Sequence, residues 1–274
     1  MAEARTGLMA GKRGLIMGVA NDHSIAWGIA QVLAAHGAEL AFTYQGDAQA
    51  RRLRPLAESI GSKIVLPGDV EKDADLDAVF ARIAKEWGSL DFLVHAIAFS
   101  DAKELKGRYV DTTRVNFLKS LDISCYSFTA VAQRAASLMT KGGALVTLSY
   151  LGAQRVMPNY NVMGVAKAAL EASVRYLAAD LGRDNIRVNA ISAGPMRTLA
   201  GAVIGGARYV YRVSREASPL RRNVELTDVG GAALYYLSDL SAGVTGTVHF
   251  VDSGYHAIGL PHDGSAVPSA NGDQ

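Results

Sequence analysis

Tyr160 and Lys167 stand seven positions apart in Pro158-Asn159-Tyr160-Asn161-Val162-Met163-Gly164-Val165-Ala166-Lys167. A phenol can donate a hydrogen bond to an oxygen that gains negative charge. An ammonium can bind sugar hydroxyls, and as a nearby cation it favours a tyrosinate or strengthens the tyrosine as a donor. If a helix holds from Tyr160, seven residues at about 100° each bring Lys167 back to the same face, roughly 10 Å along the axis. A nucleotide ribose could sit between the two. The same spacing also describes an amphipathic helix with an edge tyrosine and a snorkelling lysine. A further phenol, Tyr150, follows the apolar run Leu145-Val146-Thr147-Leu148-Ser149.

A second group of residues points to phosphates and sugars. Gly18 ends an apolar run, and Val19-Ala20-Asn21-Asp22-His23-Ser24-Ile25 then opens a helical pattern. A residue without a Cβ suits a backbone that approaches a phosphate, and a helix N-terminus offers free N–H groups to it. The G-x-G-x-x-G fingerprint is absent. Ser24 reads as an N-cap or a phosphate ligand, and an ordinary strand-to-helix turn fits this segment as well. The next run ends at Gln45, where a dinucleotide fold faces the adenosine ribose. Gln45 can bond a hydroxyl but cannot neutralise a 2′-phosphate. Asp69-Val70 suits an adenine amine or, equally, a helix N-cap. His95 reads as a structural histidine, and the small residues Ala96-Ile97-Ala98 leave room for a cofactor. No His/Cys/Asp cluster has metal-ligand spacing, so no metal is expected.

These residues need a frame. The chain has 274 residues, 49% of them apolar and 20% charged, with a net charge of +2. That balance gives no sign of a nucleic-acid or polybasic membrane binder. The single cysteine, Cys125, excludes an internal disulfide. No long apolar run marks a membrane span, and the first residues do not read as a signal peptide. A cytoplasmic protein is therefore expected. Strands are predicted at Arg13–Met17, Glu39–Thr43, Lys63–Leu66, Phe92–His95, Ala144–Ser149, Ile186–Ile191 and Val248–Asp252. Their nearly continuous apolar character fits a parallel sheet covered on both faces. Helices are predicted at Ser24–His36, Ala48–Ile60, Ala74–Trp87, within Val110–Met139 and from Tyr160 to Leu181. The alternation gives an α/β fold: a single-domain, Rossmann-like, doubly wound parallel sheet of about seven strands over residues 1–259. Residues 260–274 read as a mobile tail.

The motifs resemble those of the enoyl-acyl-carrier-protein reductases, within the short-chain dehydrogenase/reductase superfamily. The likeness runs from Gly18-x5-Ser24-Ile25-Ala26 through Phe42-Thr43-Tyr44-Gln45 and Ser149-Tyr150-Leu151-Gly152 to Arg187-Val188-Asn189-Ala190-Ile191-Ser192-Ala193-Gly194-Pro195 and Ser238-Asp239-Leu240-Ser241. Its specific part is the tyrosine–lysine gap. Six residues separate Tyr160 from Lys167, whereas ordinary superfamily members place three there. Ser253 departs from the family, which usually carries glycine at that position. Residues 201–217, within an expected substrate lid at about 196–218, match only loosely.

The resemblance implies reduction of a trans-2-enoyl thioester on acyl carrier protein by NADH, in a homotetramer. It implies a cofactor site of Gly18, Ser24, Ile25, Gln45, Asp69, Val70, Ile97, Lys167, Met196 and Thr198. It implies substrate contacts at Ser100, Tyr150 and Tyr160, with Tyr150, Tyr160 and Lys167 in the catalytic set. Arg208, Arg212, Arg215, Arg221 and Arg222 cluster around the lid, where they would either steer an acidic carrier protein or form a solvated basic face.

Overall fold

A computed structural model describes residues 7–199, 201 and 206–260. Residues 202–205 of the expected lid and the expected tail beyond Leu260 lie outside the described residues. Seven parallel strands form one sheet: β1 (Arg13–Met17), β2 (Glu39–Tyr44), β3 (Ile64–Pro67), β4 (Phe92–His95), β5 (Gly143–Ser149), β6 (Ile186–Ala193) and β7 (Val248–Val251). Their order is β3-β2-β1-β4-β5-β6-β7, a doubly wound arrangement whose direction reverses between β1 and β4. Adjacent strand residues feed opposite faces. Leu15 and Met17 enter one core while Ile16 enters the other, as a period of two requires.

One face is covered by α1 (Ile25–Ala35) and α2 (Asp47–Ser59). The opposite face carries α3 (Asp73–Trp87), α5 (Ser127–Leu138) and α6 (Asn161–Leu181). The predicted helical stretch within Val110–Met139 is not one regular helix. It comprises a short 3₁₀ turn (Tyr109–Asp111), α4 (Arg114–Leu121), a π turn (Asp122–Tyr126) and α5. Two helices escaped the sequence reading: α7 (Ala207–Ala217) and α8 (Leu226–Leu237). The second contains Gly230 and Gly231, which weaken helix propensity. A capping box between Glu225 and Asp228 starts it, and burial beside α1 in the same apolar core sustains it.

Candidate active site

A parallel sheet gathers the loops at its carboxyl edge, and the sequence-predicted residues follow from there. Gly18 succeeds β1, Gln45 succeeds β2, Asp69 and Val70 lie just beyond β3, and Ile97 and Ser100 follow β4. Tyr150 succeeds β5, and Met196 and Thr198 follow β6. One edge therefore collects all of them, beside the reversal point where such sheets bind ligands.

The turn after β1 is built tightly. Gly18 has φ +101°, and a Cβ there would lie 2.1 Å from the Ala96 carbonyl oxygen. Glycine is thus required by the neighbouring strand exit as well as by any approach to a phosphate. Ser24 is the N-cap residue of α1, but its hydroxyl does not cap the helix. It accepts instead from the Ala20 and Asn21 N–H groups at 3.0 and 3.1 Å, closing the loop on itself. Gln49, which the sequence reading missed, joins two loops. It accepts from the Gln45 N–H at 2.7 Å and donates to the Val19 carbonyl at 2.7 Å.

Asp69 does not cap a helix, since α3 begins after Lys72. Burial pushes its carboxyl up, but hydrogen bonds from the Glu71 N–H, Gln45 and Lys72 outweigh this and hold it below the usual range. Ser100 is buried in a polar knot. It donates to Asn116 Oδ1 at 3.3 Å and accepts from the Ser120 hydroxyl at 2.9 Å. His95 is fully buried between the Thr147 and Ser127 hydroxyls, at 3.0 and 2.8 Å. Burial, with the Lys167 charge adding, pushes it down to about 3. It is a satisfied, neutral, structural histidine.

Tyr160 is the N-cap of α6, with φ −111° and ψ −28°, and the helix proper starts at Asn161. The expectation that the helix holds from Tyr160 is therefore off by one residue, because Asn159 and Asn161 take positive φ on either side. The Tyr160 ring is buried with Leu105, Val162, Met163 and Ala166. Its hydroxyl has no hydrogen-bond partner among the described residues and is not among their fully enclosed unpartnered atoms. The ring packs edge-on to Tyr150, centroids 5.0 Å apart at 72°. Gly152 makes this possible: a Cβ there would lie 2.4 Å from Tyr160 Cδ1 and 3.2 Å from Tyr150 Cδ1.

Lys167 is 6% exposed and donates to the Leu148 carbonyl at 2.8 Å. Burial pushes its ammonium down to about 8, against opposing pulls from Cys125 and Glu171. Tyr160 is pushed well above the usual phenol value by burial, and then by Tyr150 and Glu171. Of the two readings of Lys167 beside Tyr160, a tyrosinate or a strengthened donor, burial of the phenol opposes the first. Glu171 was also missed, although an acid four residues after a lysine on one helix is a readable signal. It is buried, accepting from Ser149 Oγ at 2.6 Å and Gln154 Nε2 at 3.0 Å.

These residues fit a dinucleotide. The Gly18 turn cannot carry a side chain, the α1 N-terminus faces the same edge, and small residues line the exit of β4. A buried ammonium and a buried phenol without a hydrogen-bond partner among the described residues lie farther along that edge. Among the described residues, no three His, Cys, Asp or Glu side chains are grouped to hold a metal.

A family profile described as "Enoyl-(Acyl carrier protein) reductase" matches residues 18–256. The chain is 65% identical over 255 residues to "Enoyl-[acyl-carrier-protein] reductase [NADH] 2" of Rhizobium meliloti, covering 93% of this chain and 95% of the relative. The fold also matches two solved structures. One is the Anaplasma phagocytophilum reductase in complex with NAD, at TM-score 0.91 and 59% identity, covering 94% of this chain and 98% of the other. The second is the Bacillus cereus enoyl-acyl carrier protein reductase with NADP+ and an indole naphthyridinone. It has TM-score 0.91 and 50% identity, and the match covers 93% of this chain and 100% of the other.

Proposed function

The chain belongs to the enoyl-(acyl carrier protein) reductase family, and from that membership we propose how its residues divide the work. It reduces the trans-2 double bond of an enoyl thioester on acyl carrier protein, using NADH, in fatty-acid elongation. The observation that carries this reading is the buried Tyr160, packed on Tyr150 with its hydroxyl unbonded, at the head of the helix that also bears Lys167.

When bound, NADH would supply a hydride for the β-carbon of the enoyl chain and leave as NAD+, and a proton taken up at the α-carbon would complete the saturated acyl product. Tyr160, held neutral by burial, donates to the thioester oxygen as negative charge builds there. Tyr150 borders the acyl group, and Ser100 offers its backbone to substrate. Lys167 holds the nicotinamide ribose. Gly18, Ser24 and Ile25 hold the pyrophosphate, and Gln45 serves the adenosine ribose. Asp69 and Val70 serve the adenine, Ile97 touches the middle of the cofactor, and Met196 and Thr198 meet the nicotinamide side. A spectrophotometric assay tests the reading: NADH absorbance should fall on adding a crotonyl thioester and not on adding a simple ketone. Faster ketone turnover, or a higher kcat/KM with NADPH than with NADH, would overturn it.

The finer readings concern assembly and partner. Residues 1–259 act as one catalytic domain, with a lid at about 196–218. Val115 on α4, Tyr126 on the π turn and Tyr176 on α6 are 77%, 57% and 76% exposed, which supports pairing of these helices in a homotetramer. Light scattering near the 28.9 kDa of one chain would refute it. Arg222 is paired with Asp228 at 2.5 Å and Arg215 with Glu216 at 3.7 Å, while Arg221 bonds the Glu216 carbonyl. Arg208 and Arg212 are exposed and lack a carboxylate partner among the described residues. With Arg221, whose charge no carboxylate offsets among the described residues, they are the cations left to steer an acidic carrier protein. Among the described residues no helix is long and apolar enough to cross a membrane, and a cytoplasmic site of action is the reading we adopt.

A further inference from the structure

A buried carboxylate stands behind the tyrosine–lysine pair with no role in the scheme above. Glu171 is 5% exposed. It lies one turn beyond Lys167 on α6, and both side chains face β5. Lys167 bonds the Leu148 carbonyl, and Glu171 bonds the adjacent Ser149 hydroxyl at 2.8 and 2.6 Å respectively. The following residue is Tyr150, which packs on Tyr160. Gln154, after the 3₁₀ turn Leu151–Ala153, closes on the second Glu171 oxygen. Two charged side chains of one helix thus grip successive residues of one strand end.

We propose that Glu171 is a positioning residue that supplies a buried negative charge one helical turn from Lys167, favouring its ammonium form while NADH and substrate are bound. This rests on the reading of Lys167 as the residue that holds the NADH ribose. Its electrostatic effect has one sense on both partners: it raises the proton affinity of Lys167 and of Tyr160. The other groups that face Lys167 are accounted for. The π turn contributes Cys125, which pulls Lys167 in the same direction as Glu171 and more strongly, and β4 contributes His95, which is neutral. The β5 end offers the uncharged Ser149 and the Leu148 carbonyl, and the start of α6 offers Tyr160. Burying a lone ammonium is costly unless a charge opposes it, and Glu171, beyond direct ion-pair distance, is the buried carboxylate one turn away on the same helix.

The test is the pH dependence of NADH affinity, followed by cofactor fluorescence between pH 6 and 10. Wild type should lose affinity as Lys167 releases its proton. Glu171→Gln keeps the side chain's shape and a hydrogen-bond acceptor but removes the charge. Its midpoint should move down by about one pH unit, with affinity near wild type at the acid end. Glu171→Asp, with the charge drawn back by one methylene, should shift the midpoint down by about half as much. An unmoved midpoint in Glu171→Gln would overturn the proposal. If that variant does not fold, an unmoved midpoint in Glu171→Asp overturns it instead. If wild-type affinity does not titrate and Lys167→Met binds NADH normally, the ribose reading of Lys167 is what fails.

Discussion

The Tyr150 and Tyr160 rings meet edge to face, 5.0 Å between centroids at 72°. That contact fixes the phenol at the head of α6 from its side rather than through its hydroxyl. The positive edge of one ring meets the negative face of the other, and the polar atom stays available. A hydroxyl so held can serve as a donor without first breaking a bond within the protein.

Tyr160→Phe keeps this ring contact and removes the donor. The expected result is a fall in kcat of about 10²–10³-fold with NADH affinity retained. Turnover of crotonyl thioester and fluorescence titration of NADH read the two quantities separately. Normal turnover would remove Tyr160 from the chemistry.

Gly152→Ala removes no hydroxyl but sets a methyl 2.4 Å from Tyr160 Cδ1. The ring must move, since Cβ contacts below 3.0 Å do not persist. The expected loss is about tenfold or more in kcat, with NADH affinity unchanged, because about 1 Å of misplacement costs rate before binding. Steady-state kinetics on the folded variant would show it, and an unchanged kcat would mean that the ring position is immaterial.

Lys167 should give stability and affinity opposite pH slopes. Its folded value is about 8 and its ordinary value 10.5. Between these, the unfolded chain binds more protons, so stability rises with pH. NADH affinity falls across the same interval as the ammonium is lost. Thermal melts without ligand, wild type against Lys167→Met, should show the rising component only in wild type. A flat difference between pH 8 and 10.5 would contradict the buried cation.

Ser253 sits at φ +59°, and its hydroxyl is buried without a hydrogen-bond partner. Both features cost stability, and Ser253→Gly removes both. The expected gain is about 1 kcal/mol, or roughly 2–4 °C in Tm for a chain of this size. Differential scanning calorimetry decides it, and a lowered Tm would show that the serine is favourable where it stands.

Seven strands were legible because residues buried on both faces leave nearly unbroken apolar runs, and six of the fourteen strand ends moved, by one or two residues. Helix α8 was not legible. Its paired glycines argue against a helix locally, while the capping box and the packing beside α1 act for it. The site was readable as far as residue identity and edge position go. What the one-dimensional pattern could not convey was direction. Ser24 turns its oxygen onto its own loop, Lys167 turns onto a strand carbonyl, and desolvation rather than the neighbouring cation governs Tyr160. Gln49 left no trace in the pattern, because its role exists only once two loops are brought together.

The π turn at Asp122–Tyr126 makes this segment sensitive to length more than to composition. Such a turn is in effect one residue inserted into an α-helix. A single-codon deletion that left the π turn in place would swing everything downstream by about 100°. Ser127 and Phe128, which meet His95 at 2.8 Å and at a 5.2 Å ring separation, would rotate off the core together. Composition is held chiefly at the buried Ile123 and Ser124, the latter bonded to the Phe99 backbone, whereas length is held across all five positions.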